Sequence, residues 1–466
     1  MVTRYSLLAV ACLAIAIAVT AVRPARTPGP LARDFEAYWS AGRTSNDGAD
    51  PYGNAIWSAE RGIPGVDSQR DEILPFIGPP HTLLLWRLIA RLPYELAANA
   101  WWIVLSASLL ALIVAILRAS GAPATALSFF AAAALAISFA PISSDLALGQ
   151  IALVAFAGAV LAVVFADRWL PAAVFAATFA LAQPNLALGL ISQLGRNRTS
   201  LAIVLGAALT YALGAVAAGW QWPFHYARTV AEHAIAERFV AIQFTPASIA
   251  FDLGATQPQA QLVELATAAI AVAAAIALAV AVRDSFARFA VFSALTPFIA
   301  GFFHEHDFVV AFAAALWSAI RTTGATRAIA LFGTLLAGFD WLGLAQRQSG
   351  IAQSVLLEGA LFAAFVALGE RTELRRALPI AAVVAVVIAG AAYLALHNPV
   401  PVWPDLLAGF RAPPSAGIAS VWLQEQRANG LLAAVPAWGA LRSLSLLGCA
   451  LLSYAIYRHP SYCRTP

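Results

Sequence analysis

The chain is predicted to fold as an all-α polytopic membrane protein, and three observations predict it. Of its 466 residues, 61% are hydrophobic and 11% charged, with a mean hydropathy of +0.77, a balance foreign to a soluble domain of this size. Apolar runs near the roughly 20 residues that cross a bilayer core as helix recur along its length. Arginines gather in short segments between alternate runs, as they do in loops kept in the cytoplasm. The net charge of +4 comes from arginine alone, because the chain holds no lysine. That charge is read as a topology signal and excludes nothing so clearly as nucleic-acid binding. A lysine-free, alanine-rich chain points to a GC-rich bacterial genome.

Taken in order, the spans expected are Ser6–Val22, Glu95–Ile116, Ala122–Ala140, Gln150–Ala166 and Trp169–Ala182. A short one, Pro184–Leu194, precedes Ser200–Ala218, Ala260–Val282 and Ala287–Phe303. Phe308–Ile320, Ala328–Leu344, Gln353–Leu368, Ala377–Leu396 and Val435–Tyr457 complete a bundle of about 12–14 transmembrane or partial helices. The first run is read as a retained signal anchor, since no small-x-small cleavage site follows it. Cys12 and Cys449 fall inside apolar runs and Cys463 in the tail, so neither a disulfide framework nor a metal spacing is present.

With the N-terminus inside, the loops holding Arg118, Arg168, Arg196, Arg198, Arg283, Arg288, Arg321 and Arg327 share one face with the C-terminal tail. Residues 23–91, 220–259 and 397–434, with the turns Pro141–Gly149 and His304–Asp307, fall on the other. Large outer segments rich in Trp, Pro, His and acids mark that face as the working surface.

Several clusters there carry chemistry. Asp34 opens the run Asp34-Phe35-Glu36-Ala37-Tyr38-Trp39-Ser40-Ala41-Gly42-Arg43. It caps a helix, or is an ordinary solvated acid, or is a general base taking a proton from an acceptor hydroxyl. Thr82–Leu92, entered through Pro79-Pro80-His81, is an amphipathic run suited to the membrane interface. His304-Glu305-His306-Asp307 closes a span, where ionisable groups are functional candidates. These residues hold a phosphate, orient an acceptor or simply cap a helix; a divalent metal is the weaker reading, for want of a third ligand cluster. Gln183-Pro184 breaks an apolar stretch and starts a short helix whose free N–H groups suit an anion, unless it is a plain turn. Trp220-Gln221-Trp222 and Gln243-Phe244-Thr245-Pro246-Ala247-Ser248 fit an interfacial belt as well as a sugar site.

In this order the pieces resemble glycosyltransferase family 87, membrane enzymes of the GT-C class. The resemblance rests on Asp34-Phe35, Tyr38-Trp39, Ala41-Gly42-Arg43, Asp50-Pro51-Tyr52, Pro79-Pro80 up to Leu92-Pro93, Gly149-Gln150 and His306-Asp307-Phe308. It covers roughly Ser6 to Ile320 and divides the chain into a GT-C-like catalytic region, 1–320, and C-terminal helices, 321–466. What it implies is transfer of a mannose- or arabinofuranose-like sugar from a polyprenyl-phosphate donor to a lipid or glycan acceptor, with inversion, outside a bacterial plasma membrane. Asp34 becomes the expected base. Arg43, Gln183, His304 and His306 are expected at the donor phosphate, and Tyr38, Trp39, Tyr52, His81, Gln150 and Asp307 around sugar and acceptor. No organic cofactor is expected beyond that lipid-linked donor, and a divalent metal stays open. Membrane lipids are the other partners; nucleic acid is not.

Two departures stand out. Gln183-Pro184 replaces the family's common Lys-Pro, which removes a charge from the phosphate grip. Gly78 replaces an aromatic residue ahead of Pro-Pro, which leaves that entry less packed. The rivals are a membrane carrier, which mid-bilayer polar groups and repeat symmetry would mark, and an inactive member serving as scaffold.

Overall fold

The computed structural model describes residues 10, 11, 13, 14, 16, 17, 32–66, 74–344, 351–369, 374–401 and 417–459. Among these every regular element is helical. Four helices are long and apolar enough to cross a membrane: Tyr94–Ala119, Arg198–Ala218, Gln257–Ala281 and Pro436–Tyr457. A bent pair, Ala126–Ser138 and Ala140–Leu148, would make a fifth span. Shorter apolar helices include Ala152–Phe165, Leu170–Ala180, Val309–Arg321 and Gly324–Gly338. The expected anchor Ser6–Val22, with Cys12, lies for the most part outside the described residues, and Cys463 does so entirely.

The segment expected as an outer turn, Pro141–Gly149, is helical instead. Phe139 takes extended angles (φ −72°, ψ 110°), Pro141 stands in the first turn of the new helix, and the two helices meet at 71°. Proline suits that position because its missing N–H would be unpaired there anyway. The expected span Pro184–Leu194 is a 3-10 helix, Leu186–Gln193, and Ala287–Phe303 is a helix, Ser285–Leu295, followed by a 3-10 turn.

The first long segment folds onto the bundle rather than away from it. Its helix, Phe35–Asn46, packs on Leu83–Ile89, whose Trp86 is fully buried while Leu88 stays exposed. Phe35 inserts among Trp86, Tyr94 and Trp101, with ring centroids 6.3, 5.8 and 6.1 Å away. Gly42 makes the crossing possible, since a Cβ there would sit 2.2 Å from the Trp86 carbonyl oxygen. Gly149 has a matching duty. It closes the helix Ala140–Leu148 at φ 74°, and a Cβ there would meet Ala32 and Phe35, each at 2.9 Å.

The expected gap at Gly78 is filled. The Phe76 ring lies over it, where a Cβ would come within 2.8 Å of Cε2, and Tyr52 donates its hydroxyl to the Gly78 carbonyl at 2.7 Å.

One apolar core runs from the first-loop helix through Leu335, Leu361 and Leu452, so packing is continuous across position 320. Gly333 and Gly448 let the helix Gly324–Gly338 press against Pro436–Tyr457; a Cβ on Gly333 would meet the Gly448 carbonyl at 2.9 Å. Arg442, within that last helix, is fully buried, pairs with Asp252 and donates to Ser248 Oγ at 2.5 Å and to the Gln243 carbonyl. It fastens the segment 220–259 to the last helix.

Candidate active site

A cavity of about 940 Å³ lies between the first two long segments and the later helices. One wall carries Arg33, Asp34, Tyr38 and Gln150; another carries Gln183, Glu237, His304 and His306. The segments after residue 338 add the apolar Leu342, Leu357, Ile388, Ala391 and Ala395, with the polar Asp340, Gln353, Glu358 and Asn398 among them.

Asp34 begins the first-loop helix with helical angles (φ −74°, ψ −18°), and its side chain makes no capping bond. Its backbone N–H donates to the Leu148 carbonyl at 2.9 Å. Its carboxylate turns instead to the Gln150 amide, accepting from Nε2 at 2.5 Å, while Gln150 Oε1 accepts the Tyr38 hydroxyl at 2.6 Å. Asp34 and Tyr38 stand four residues apart on one helix face, so one glutamine ties both to the next span. Tyr38 also stacks on Trp86, with centroids 4.8 Å apart and planes at 10°.

Burial raises the Asp34 pKa above the ordinary carboxylate range, against the pull of the Gln150 bond and the charges of Arg33 and His304. Burial, with the charge of Asp34, pushes the Tyr38 phenol well up, so it stays a neutral donor. A carboxyl with a raised pKa is a stronger proton acceptor once ionised, as a general base requires.

The facing wall is assembled from distant segments. Gln183 Nε2 donates to Asp307 Oδ1 at 2.5 Å, and the His304 backbone N–H donates to Asp307 Oδ2 at 2.9 Å. Burial disfavours charge on His304, but the Glu237 carboxylate at 3.1 Å from Nε2 outweighs it and raises the imidazole pKa. Burial and the His304 charge drive His306 well below the usual value, leaving it neutral. Burial lifts Asp307 to about 6, with His304 and Gln183 opposing.

His304, His306 and Asp307 bring ligand-type atoms within 4.8 Å of one another. Both Asp307 oxygens are already engaged, and His304 Nε2 faces Glu237 and Gln243. Two of these three residues, Asp307 and His304, thus already make hydrogen bonds through their ligand-type atoms.

Of the residues singled out from sequence, Asp34, Tyr38, Gln150, Gln183, His304 and His306 line this one cavity, and Asp307 lies buried just behind it. Four others stand elsewhere. The Arg43 guanidinium is exposed and 3.7 Å from Asp47. Trp39 donates to the Leu92 carbonyl at 3.1 Å and packs edge-on to Tyr94. Tyr52 packs on Phe76. His81 is buried away from the cavity, and burial pushes its pKa down to about 4.

Sequence reasoning missed Arg33, Glu237 and Trp422, and named Gln243 only within a stretch that fits an interfacial belt as well as a sugar site. Arg33 stands next to Asp34, and its position was the available signal. Nothing local marks Glu237 or Trp422, which lie 185 residues apart and meet only in space.

Residues 76–303 match the family model for glycosyltransferase family 87. The matched stretch holds Pro79-Pro80, Gly149-Gln150 and Gln183-Pro184; it begins after Asp34 and stops at the residue before His304. No curated protein and no solved structure matches the chain. Over residues 76–303 the chain is similar to glycosyltransferase family 87, and that likeness implies a membrane glycosyltransferase.

Proposed function

We propose that this protein transfers a sugar from a polyprenyl-phosphate donor to a hydroxyl of a lipid or glycan acceptor, with Asp34 as general base. The reading is carried by one observation. The half-buried carboxylate of Asp34 shares a single cavity with His304, whose pKa Glu237 raises, and with the Gln183 amide, and the same cavity carries apolar residues such as Leu357, Ile388 and Ala391 of the kind a prenyl chain would occupy.

In the step, Asp34 removes the acceptor's hydroxyl proton as that oxygen bonds to the anomeric carbon. The bond from the anomeric carbon to the phosphate oxygen breaks, and the polyprenyl phosphate leaves with the electron pair. Attack opposite the departing phosphate inverts the anomeric centre. His304 and Arg33 offset the charge gathering on the phosphate, and Gln150 with Tyr38 holds the base in place. Arg33 takes the part first expected of Arg43, because Arg33 lines the cavity and Arg43 does not. Arginine placement supports an outward-facing site in a bacterial plasma membrane, with both termini inside.

The test is transfer from a radiolabelled polyprenyl-phosphate mannose or arabinofuranose by the full-length protein in bilayer nanodiscs, compared with Asp34→Asn. Turnover abolished by the substitution is expected. Equal turnover of both proteins removes Asp34 from the mechanism, and no transfer by the wild type removes the activity. The latter result would favour a scaffold, a reading that Gln183 supports by offering an uncharged amide already bonded to Asp307.

A further inference from the structure

Glu237 ends the helix Trp222–Glu237 in the segment 220–259 and is 2% exposed. Its Oε2 accepts Gln243 Nε2 at 2.6 Å and lies 3.1 Å from His304 Nε2. Its Oε1 accepts the indole N–H of Trp422, from the helix Ile418–Ala428. Gln243 also fixes the backbone leading into His304, because its Oε1 accepts the Phe303 N–H at 2.9 Å. The carboxylate is thus held on both oxygens by groups that belong to neither the first-loop helix nor the His304 turn.

We infer that Glu237 is a positioning residue, held by Trp422 and Gln243, that fixes the ring of His304 at the cavity wall for the donor's phosphate. The inference rests on the proposed lipid-phosphate donor. An imidazole whose Nε2–H is taken by a carboxylate has one remaining donor, Nδ1–H, and its orientation is set by the first bond. Two other charged groups act on His304, Asp307 on its own turn and Asp34 across the cavity; His306 beside it is neutral, and His233 acts on Glu237. Asp307 is occupied by Gln183 and the His304 backbone, which leaves Glu237 as the carboxylate bonded to the ring.

The experiment is a double-substitution cycle on the full-length protein in nanodiscs. Glu237→Gln keeps the shape and removes the charge; the donor KM is expected to rise about tenfold, the equivalent of one pK unit, with kcat changed little. His304→Gln should act likewise, and Glu237→Gln combined with it should add nothing further. Trp422→Phe, which removes one bond and keeps the aromatic bulk, should give a smaller change in the same direction. Thermal unfolding of each variant checks that it is folded. A loss confined to kcat, or two effects that multiply, would overturn the inference. If the wild type shows no transfer, the functional reading fails separately. Affinity for undecaprenyl phosphate, measured by calorimetry, then decides between equal binding by Glu237→Gln, which sinks the inference, and weaker binding, which supports it.

Discussion

Gln150 Nε2 lies 2.5 Å from Asp34 Oδ2, while its other end accepts the Tyr38 hydroxyl. A single amide therefore sets where the carboxylate stands and how much of it stays open to a ligand. Gln150→Leu removes both bonds while keeping a side chain of similar bulk. Transfer is expected to fall about 10- to 100-fold, a cost of roughly 1.4–2.8 kcal/mol in the transition state. Thermal unfolding measured alongside separates lost positioning from lost fold.

Asp34→Asn should lower kcat by about 10²- to 10⁴-fold, the range that general base catalysis contributes. The base works only when ionised, and burial raises its pKa. Activity of the wild type is therefore lost as pH falls through that raised value, and the acidic limb of the rate profile should lie above the ordinary carboxylate pKa of about 3.9. A limb at or below that value would mean that another group controls it.

Asp307 titrates near 6 in the fold against 3.8 as a free side chain. A carboxyl with a raised pKa binds its proton more tightly when folded, so its contribution is present below about pH 4 and is lost as pH rises through about 6. The unfolding temperature of Asp307→Asn should lack that dependence, seen as a flatter curve than the wild type between those pH values. Parallel curves would refute the assignment.

Arg442 and Asp252 form a buried pair within the contact between the segment 220–259 and the last helix. Arg442→Leu leaves the Asp252 carboxylate without its charge partner and should cost about 3–5 kcal/mol of stability. Arg442→Leu with Asp252→Leu should recover part of that loss. Chemical unfolding in detergent reads both.

The bundle was legible because hydropathy and arginine placement are local and redundant: Tyr94–Ala119 and Pro436–Tyr457 lie within a few residues of the expected spans. Asp34, Gln150, Gln183 and the His304–Asp307 turn could be singled out because polar groups are scarce in so apolar a chain. Their bonds could not be read, since Gln183 and Asp307 meet across 124 residues. Arg43 and Tyr52 lie in the motif-bearing segment yet outside the cavity: Arg43 is on the helix side turned to Asp47, and Tyr52 sits in the turn beyond that helix, packed on Phe76. The helix after Phe139 was hidden because its proline also fits a turn.

Gly42→Ala would drive a methyl group into the Trp86 carbonyl and should cost about 1–3 kcal/mol. The expected sign is a lower unfolding temperature with transfer lost in proportion, and an unchanged protein would show that the two helices can separate.

That same contact bears on how such chains are recognised. The Ala-Gly-Arg portion of the diagnostic stretch is there because two backbones touch, and it would persist in a descendant that had given up chemistry. Screening genomes for working enzymes is better done on the pairing of Asp34 with Gln150, which a mere architectural fossil has no reason to keep.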